Sequence, residues 1–389
     1  MNKHQLILSV IIISGLLASV ACRELYEPEI TDIDHQFLVV EGFLEVGGNN
    51  TSEIKVSRTM PIYFNEPNRP EVNATVRIEG SSSGSWVMRP SQPGTYILDD
   101  FLPENQRYQV RIQTNRGEYL SEEITPIATP EDLELGFTSR PGYVSIYAST
   151  TGNESAKYFI WEFKEDWEFR SPFQNYYFFD IASNSVMTTP FNQIVERCYL
   201  NYESSNIILE SSERFQNQRI SRREIQRIDT LSEKLGERYS ILVKQRGLDR
   251  GAFEFWDAMR KNSDEIGGIF SPMPSIIGTN IRNVSNPNEP VIGYISAGKT
   301  VEKRMYIDKR DLSGWATRIE DYRFCSLDTV TPMDYQDMYV IAGLVPVIPI
   351  CEGAVCVTYL AAPASCTDCR QRGNQFPPDF WEPYDHTTP

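Results

Sequence analysis

Short runs in which apolar and polar residues alternate place the strongest limit on what this chain can fold into. Between residues 36 and 126, turn residues such as those at 81–84 divide these runs at intervals of about 10–20 residues. Two of the runs place on one face Val72, Ala74, Val76 and Ile78, and then Tyr108, Val110 and Ile112. Alternation with a period of two is typical of strands that bury one face. We therefore expect an immunoglobulin- or fibronectin-like β-sandwich over residues 36–126.

A second β-rich domain is expected over residues 131–389, behind a linker that ends at Pro130. Its strand patterns include residues 142–147 and 158–163. The expected fold class is therefore mainly all-β, with two domains. The N-terminal sandwich is followed by a larger β-rich domain that carries short helical insertions and a disulfide-rich C-terminal tail.

Two segments of the second domain have helical spacing instead. Residues 221–235 begin with the spacing of a capping box and continue with apolar residues three or four apart. Between Arg250 and Asn262, apolar residues again lie three apart. Both segments predict short helices that pack against the sheets and carry no chemistry.

The first 21 residues have the pattern of an export signal. Lys3 lies near the start, an apolar run extends from Leu6 to Leu17, and small residues precede Cys22. This arrangement resembles a bacterial lipobox, in which the cysteine receives the lipid and becomes the first mature residue. An ordinary secreted protein is the alternative. We expect a signal peptide over residues 1–21, lipidation at Cys22 and an anchor linker over residues 22–35.

Six cysteines remain after Cys22, and five of them fall in the last 65 residues: Cys198, Cys325, Cys351, Cys356, Cys366 and Cys369. An even number in an exported chain predicts up to three disulfides, with the pairing left open. A zinc site formed by the last four cysteines is the alternative. Only nine residues separate the two pairs of that site, which is short for a zinc ribbon, so disulfides are favoured.

Histidine is scarce, because the three histidines are His4, His35 and His386. The chain thus lacks the usual residues of Ser-His-Asp or Cys-His catalysis and of histidine-rich metal sites, and we expect no metal and no cofactor. The net charge is −16, without a basic tract to offset it. Such a field repels phosphate backbones, so nucleic acid is not an expected partner.

An ordered set of motifs in the chain resembles the DUF4249 family of Bacteroidetes lipoproteins, from about residue 24 to the C-terminus. The motifs lie at residues 38–42, 239–245, 253–256, 268–275, 293–297 and 366–370. The resemblance implies an outer-membrane lipoprotein, often encoded beside a TonB-dependent transporter. The acidic segment 23–29 likewise resembles the surface-export signal of such lipoproteins. The resemblance implies no activity, since the family is uncharacterised, and no catalytic or binding residues are carried over from it.

Aromatic residues are densest between residues 161 and 179, where they offer candidate ligand contacts. Planar rings stack on sugars and on hydrophobic ligands. The candidates are Trp161, Trp167, Phe173, Tyr176 and Tyr177. Ordinary core packing is the favoured alternative, because alternate residues of a strand face inward.

Four carboxylates in the same region, Glu162, Glu165, Asp166 and Glu168, invite a general acid–base interpretation. Proximity in sequence does not place two carboxylates across a cleft, so we expect no catalysis. The expected function is ligand capture or an accessory role for a TonB-dependent nutrient transporter, at the surface of the outer membrane. A surface hydrolase acting on glycan or peptide and a structural envelope protein are the alternatives.

Overall fold

The computed structural model describes residues 36–48, 50–60, 69–265, 278–312 and 319–382. Within these ranges, nine strands precede residue 126. They are β1 (Leu38–Glu45), β2 (Ser52–Arg58), β3 (Arg69–Pro70), β4 (Thr75–Gly80), β5 (Ser85–Val87), β6 (Arg89–Gln92), β7 (Thr95–Leu98), β8 (Tyr108–Thr114) and β9 (Gly117–Ser121). The signal peptide, Cys22 and the linker 22–35 lie outside the described residues, and so do the three histidines.

The described chain continues with fifteen strands and one α-helix, α1 (Arg250–Glu265). The strands are β10 (Glu134–Arg140), β11 (Tyr143–Thr151), β12 (Tyr158–Phe169), β13 (Tyr177–Asp180), β14 (Ser185–Thr188), β15 (Cys198–Glu203), β16 (Ile208–Ser211), β17 (Arg219–Asp229), β18 (Arg238–Leu248), β19 (Ile281–Asn283), β20 (Ile292–Gly298), β21 (Val301–Asp308), β22 (Asp328–Val330), β23 (Leu344–Glu352) and β24 (Val355–Pro363). Single helical turns occupy Phe191–Gln193, Gln216–Gln218, Glu233–Leu235, Lys309–Asp311, Glu320–Tyr322, Ala364–Cys366 and Cys369–Gln371, and a π-helix occupies Gln336–Ile341. The mainly all-β fold class is confirmed.

The N-terminal sandwich consists of two packed sheets. One has the order β20-β1-β2-β7-β6, with β3 beside β2, and the other has the order β19-β9-β8-β4-β5. Alternate residues of these strands meet between the sheets, and Leu38, Ile54 and Ile78 are fully buried there. The two sheets confirm the β-sandwich that the period-two pattern of residues 36–126 predicts.

Two strands of this sandwich come from far along the chain. β20 pairs in parallel with β1, and β19 pairs with β9. The predicted boundaries assign residues 281–298 to the second domain, and the pairing places them in the first. A parallel partner needs a long crossover connection, so local patterning does not reveal it.

The second sandwich packs β10-β11-β17 against β15-β12-β18-β21, with β16 also paired to β12. The core between these sheets includes Trp161, Phe163, Tyr239 and Val243. Helix α1 packs beside this sandwich and contacts Tyr294 of β20, so it bridges to the first sandwich. The predicted helix at residues 250–262 is confirmed and extends to Glu265.

The predicted helix over residues 221–235 is wrong, since most of this segment is strand β17. β17 pairs with β11 and contains register shifts, and Arg222 has a φ of 54°. Such bulges insert unpaired residues and change which residues face inward. Ile220, Ile225 and Ile228 are all buried despite their irregular spacing, which imitates a helical stripe.

A small C-terminal unit packs beside the second sandwich, and we call it the stapled subdomain. It contains the hairpin β13–β14, the sheet β22-β24-β23 and the π-helix. Its core includes Val330, Tyr335, Tyr339 and Ala361, with Phe179 packed against them. No helix in the described parts of the chain is long and apolar enough to cross a membrane.

The six cysteines in the described part of the chain form three disulfides, the largest number that the sequence predicts. They are Cys198–Cys369, Cys325–Cys366 and Cys351–Cys356. The first ties the C-terminal tail to β15, the second joins the tail to the stapled subdomain, and the third closes the tip of the β23–β24 hairpin. The alternative zinc site is thereby ruled out, because its four cysteines are all consumed by disulfides.

Candidate functional site

A cleft of about 800 Å³ lies between the two sandwiches. One wall comes from β1 and β2, which contribute Glu41, Phe43 and Lys55. The opposite wall comes from β12 and β18 of the second sandwich, which contribute Glu162 and Arg246. Clefts of this size between domains are a common place for small ligands to bind.

Strand alternation explains why these side chains face the cleft. In β12, Phe159, Trp161 and Phe163 point into the core of the second sandwich and are essentially inaccessible to solvent. The residues between and after them, Glu162 and Lys164, therefore project on the opposite face and line the cleft. β1 behaves in the same way, because Leu38, Val40 and Leu44 lie in the first core, whereas Glu41, Phe43 and Glu45 line the cleft.

Most charges in the cleft are paired. The Arg246 guanidinium donates to both carboxylate oxygens of Glu162 at 3.1 Å. Other ion pairs join charges of neighbouring strands or the same wall: Lys55–Glu53 at 3.2 Å, Lys164–Glu203 at 2.9 Å and Lys244–Glu302 at 3.0 Å. The walls are thus held by a network in which each of these lysines already has a carboxylate.

Contacts at the base of the cleft connect the two sandwiches. The Glu45 carboxylate, buried on β1, accepts hydrogen bonds from the backbone N–H of Thr300 at 3.1 Å and from the Thr300 hydroxyl. Arg246 lies 3.8 Å from Glu45, donates to Thr300 at 2.9 Å and stacks over Phe43, 4.5 Å from the ring centroid. Arg246 therefore contacts residues of both domains at once.

Two glutamates of the cleft have a raised pKa. Burial raises the pKa of Glu41, the carboxylates of Glu162 and Glu53 add to the rise, and Lys55 and Arg246 oppose it. Burial likewise raises the pKa of Glu45, against the hydrogen bonds from Thr300 and the charge of Arg246. Glu41 is itself exposed, so its carboxylate can be reached from solvent through the mouth of the cleft.

The aromatic ligand candidates do not gather into one site. Trp161 and Trp167 lie in the core of the second sandwich, where their indole N–H groups donate to Gln245 and Glu233. Their assignment to a ligand surface is wrong, because β12 turns this face inward. Two others pack within the stapled subdomain: Phe173 joins the Val347 and Cys366 cluster, and Tyr177 lies against Tyr359. Tyr176 alone of the five is exposed.

The four acidic candidates also separate. Glu165 is fully buried and accepts from Tyr239 at 2.6 Å and Lys234 at 2.5 Å. Asp166 pairs with Arg304 at 3.4 Å, and Glu168 pairs with Arg197 at 3.1 Å. Glu162 alone reaches the cleft, where it and Glu41 come from opposite walls.

The exposed apolar residues are concentrated in and around the stapled subdomain. Of the 21 large exposed hydrophobic residues in the described chain, 13 lie between residues 176 and 191 or 324 and 357. They are Tyr176, Phe178, Ile181, Met187, Phe191, Phe324, Met333, Val340, Ile341, Ile348, Ile350, Val355 and Val357. Residues 338–363 contain a single charged residue, Glu352. Large uncharged apolar surfaces on folded proteins mark interaction sites.

Sequence reasoning missed Glu41, Arg246 and the stapled hairpin as functional features. For the cleft, the signal was the spacing of Lys244 and Arg246, which lie two residues apart and so share one face of a strand. For the hairpin, the signal was the near absence of charge over residues 338–363. The sequence held no sign that β1 would face β12, because that contact depends on the long-range pairing of β20.

Comparison with known proteins gives one family match. The model described as "Domain of unknown function (DUF4249)" matches residues 23–304, more than half of the chain. The match ends before the C-terminal tail, whereas the resemblance was expected to run to the C-terminus. No curated protein matches the chain.

Similar solved structures include proteins with fibronectin domains. A two-domain fibronectin type-III segment of chicken tenascin is 9% identical over 53% of this chain and 90% of that chain, with a TM-score of 0.14. The FN1–FN3 domains of chicken CNTN1 are 13% identical over 55% of this chain and 62% of that chain, with a TM-score of 0.18. A DUF3823 family protein from Bacteroides ovatus is 12% identical over 54% of this chain and 90% of that chain, with a TM-score of 0.13. The fold assignment accordingly rests on the strand pairing described above.

Proposed function

The chain belongs to the DUF4249 family, and from that premise we propose that it is a non-catalytic accessory subunit of a TonB-dependent outer-membrane transporter. The description of the family names no activity, so the proposal depends on this chain's own surface. In the proposal, lipidated Cys22 anchors the protein to the cell surface, and the stapled subdomain contacts the transporter.

The exposed apolar surface of the stapled subdomain is the observation that carries the proposal. At the tip of the β23–β24 hairpin, Val355 and Val357 are 59% and 48% exposed, and Ile348 and Ile350 are exposed beside them. The Cys351–Cys356 disulfide closes this hairpin, so the surface is rigid before a partner binds. A preordered apolar surface loses little conformational entropy on binding, which favours a stable protein partner.

Affinity purification tests the proposal. Tagged full-length protein is extracted from outer membranes in mild detergent, and the proteins that co-purify are identified by mass spectrometry. We expect a TonB-dependent transporter in stoichiometric amount, and we expect Cys22→Ser to abolish its recovery by releasing the protein from the membrane. Val357→Asp should also abolish recovery, because a carboxylate at the hairpin would lose its hydration on docking.

Val87→Asp is the matched control. Val87 is 54% exposed on β5 of the first sandwich, outside the stapled subdomain. This variant should retain the transporter. Recovery of the protein alone, in detergents that preserve other transporter complexes, would overturn the proposal. Loss of the transporter with both valine variants would place the interface elsewhere and overturn the role of the hairpin.

A surface hydrolase is the second candidate function, because Glu41 and Glu162 come from opposite walls of one cleft. Two carboxyl groups that face each other across a cleft are the arrangement of a glycoside hydrolase. However, both carboxylate oxygens of Glu162 already accept hydrogen bonds from Arg246. Such a reaction needs that carboxylate to be free. Hydrolysis of surface glycans that disappears in Glu162→Gln and in Glu41→Gln would establish this candidate over the accessory role.

A further inference from the structure

The last nine residues that the structure describes, 374–382, lie across the outer face of the second sandwich, and we call them the tail segment. Asn374 forms a β-bridge with Tyr199 of the edge strand β15, through backbone hydrogen bonds of 2.7 and 3.0 Å. Seven of the nine residues are exposed to solvent, and none of them joins a hydrophobic core of the described chain. The segment is therefore held at the surface by a small number of contacts.

Two adjacent aromatic side chains make most of these contacts. The ring of Trp381 lies 5.3 Å from that of Tyr199 and 5.9 Å from that of Tyr306, edge to face in both cases. The guanidinium of Arg304 stacks over Phe380, 3.4 Å from the ring centroid. Tyr199 belongs to β15, and Arg304 and Tyr306 belong to β21, which are the two outer strands of this sheet. The aromatic pair therefore spans the sheet from one edge to the other.

Hydrogen bonds to the backbone of the tail segment fix the register of the two rings. The Tyr306 hydroxyl donates to the carbonyl oxygen of Phe380 at 2.8 Å, and the Arg238 guanidinium donates to that of Glu382 at 2.8 Å. Arg238 also lies over the ring of Tyr306, 4.6 Å from its centroid. Backbone hydrogen bonds combined with contacts to particular side chains are how proteins recognise short peptide segments. We call Tyr199, Arg238, Arg304 and Tyr306 the tail groove.

The second sandwich itself fixes the side chains of the tail groove. Arg304 pairs with Asp166 at 3.4 Å and donates to Ser240 at 2.8 Å, so its guanidinium is positioned by β12 and β18. Asp166 and Ser240 lie opposite each other in the pairing of those two strands. A binding surface that is ordered before its ligand arrives loses little conformational entropy on binding. The groove is therefore expected to keep its form when the tail segment leaves.

The chemistry of the occupant indicates which peptide the groove accepts. In the tail segment, Asp379 and Glu382 flank the aromatic pair. The groove offers the guanidinium groups of Arg238 and Arg304, which stack on aromatic rings and favour acidic neighbours. The preferred ligand is thus a peptide with two adjacent aromatic residues between acidic ones.

The Cys198–Cys369 disulfide allows the tail segment to leave the groove without loosening the rest of the fold. Cys369 precedes the segment by a few residues and is itself buried in the core of the second sandwich. Release of residues 374–382 therefore ends at a covalent anchor. A segment tethered in this way has an effective concentration of about millimolar at its own groove, so a competing peptide must bind well or be locally concentrated.

We propose that the tail groove is a docking site for a peptide segment of a partner protein, with adjacent aromatic residues and acidic neighbours, and that the tail segment occupies the groove until such a peptide displaces it. The groove is separate from the interdomain cleft and from the apolar surface of the stapled subdomain. The proposal does not depend on a transporter partner.

A peptide with the sequence of residues 374–382 tests this site. The peptide carries a fluorescein label, and its binding to full-length protein in a nonionic detergent is followed by fluorescence anisotropy. The double variant Phe380→Ala/Trp381→Ala removes the rings that fill the groove in the intact chain. It should bind the peptide at least about ten-fold more tightly than the wild type does, because the wild-type segment competes for the groove. A peptide with alanine in place of both aromatic residues should bind to neither protein.

Two further variants make the result specific. Phe376→Ala removes an aromatic ring from the same segment at a position that is 66% exposed, and it should bind the peptide as weakly as the wild type. Tyr306→Ala, added to the double variant, should abolish the gain in binding, whereas Tyr306→Phe keeps the ring and should retain part of it.

Equal binding of the peptide to the wild type and to the double variant would overturn the proposal. Equal binding of the native and the alanine peptides to the double variant would also overturn it. The transporter result with Val357→Asp has no bearing on these titrations, so the two proposals fail separately.

Discussion

Gly293 lies directly opposite Val40 in the parallel pairing of β20 with β1, and a Cβ atom at position 293 would lie 1.8 Å from the Val40 carbonyl oxygen. The φ angle of Gly293 is +132°, which L-residues with a side chain rarely adopt. Any side chain at position 293 would therefore collide with the backbone of β1.

Gly293→Ala should strongly destabilise the protein, by about 3 kcal/mol or more, because both the φ angle and the clash oppose a methyl group. Urea unfolding followed by tryptophan fluorescence measures the loss. Gly142→Ala is the control: its φ is +96°, but nothing lies within 4 Å of the added Cβ. It should cost only about 1 kcal/mol. Equal costs for the two variants would contradict the close pairing of β20 with β1.

The pair between the buried Glu233 carboxylate and the partly exposed Arg372 guanidinium should contribute measurably to stability. Arg372 donates to Glu233 at 2.7 Å, and Glu233 also accepts from Tyr322 at 2.8 Å, so the pair joins the tail to the second sandwich. Arg372→Ala leaves the Glu233 carboxylate buried without its cation, and we expect a loss of about 2–4 kcal/mol in the free energy of unfolding.

The control for that measurement is Arg323→Ala, which removes the exposed pair with Glu320. Exposed pairs contribute less than about 1 kcal/mol, so this variant should unfold at nearly the wild-type urea concentration. A loss in Arg372→Ala no larger than that in Arg323→Ala would show that the Glu233–Arg372 pair does not hold the tail.

The three disulfides should contribute unequally. Cys198 and Cys369 are 171 residues apart, whereas Cys351 and Cys356 are five apart. In the chain-entropy model the longer loop constrains the unfolded chain by about 3 kcal/mol more. The double variant Cys198→Ser/Cys369→Ser should therefore lower Tm far more than Cys351→Ser/Cys356→Ser does. Differential scanning calorimetry of the two variants gives the comparison, and a larger loss from the hairpin pair would refute the entropic account.

The pH dependence of stability should report on Glu41. Its pKa is raised in the folded state by burial and by Glu162 and Glu53, against Lys55 and Arg246. A carboxyl group of this kind favours folding while it is protonated, and its contribution is lost as the pH rises from 4.5 through the raised folded pKa. Glu41→Gln should therefore raise Tm at pH 7 and have no effect below pH 4.5. A lower Tm for Glu41→Gln at neutral pH would mean that the carboxylate has a stabilising partner.

Local patterning predicts the strands and disulfides of this protein well but not its long-range contacts. The alternation along β12 is visible in the sequence, and so is the helix that begins at Arg250. The bulges of β17 are not visible in the sequence, because Arg222, which has a φ of 54°, is not a residue type that indicates a positive φ. Trp161 and Trp167 are residue types that often contact ligands, but in this fold both lie in the core between the sheets of the second sandwich.

The candidate site was less accessible to sequence reasoning than the fold. Glu162 could be placed on the face of β12 that carries charge, but its position opposite Glu41 required the pairing of β20 with β1. The number of disulfides followed from composition and compartment, whereas the pairing of Cys198 with Cys369 depended on how the tail folds back.

The pairing of β1 with β20 also has a consequence for biosynthesis. Most of the second sandwich lies between residues 134 and 265, so it is an insertion within the first domain. Domains usually fold in the order in which they are synthesised. Here the first sandwich cannot be completed until residues 281–298 have been made and, in an exported chain, translocated. Until then, the N-terminal strands lack two of their partners and their apolar faces stay exposed. A truncation anywhere between residues 126 and 281 would remove β19 and β20 and leave the first sandwich incomplete.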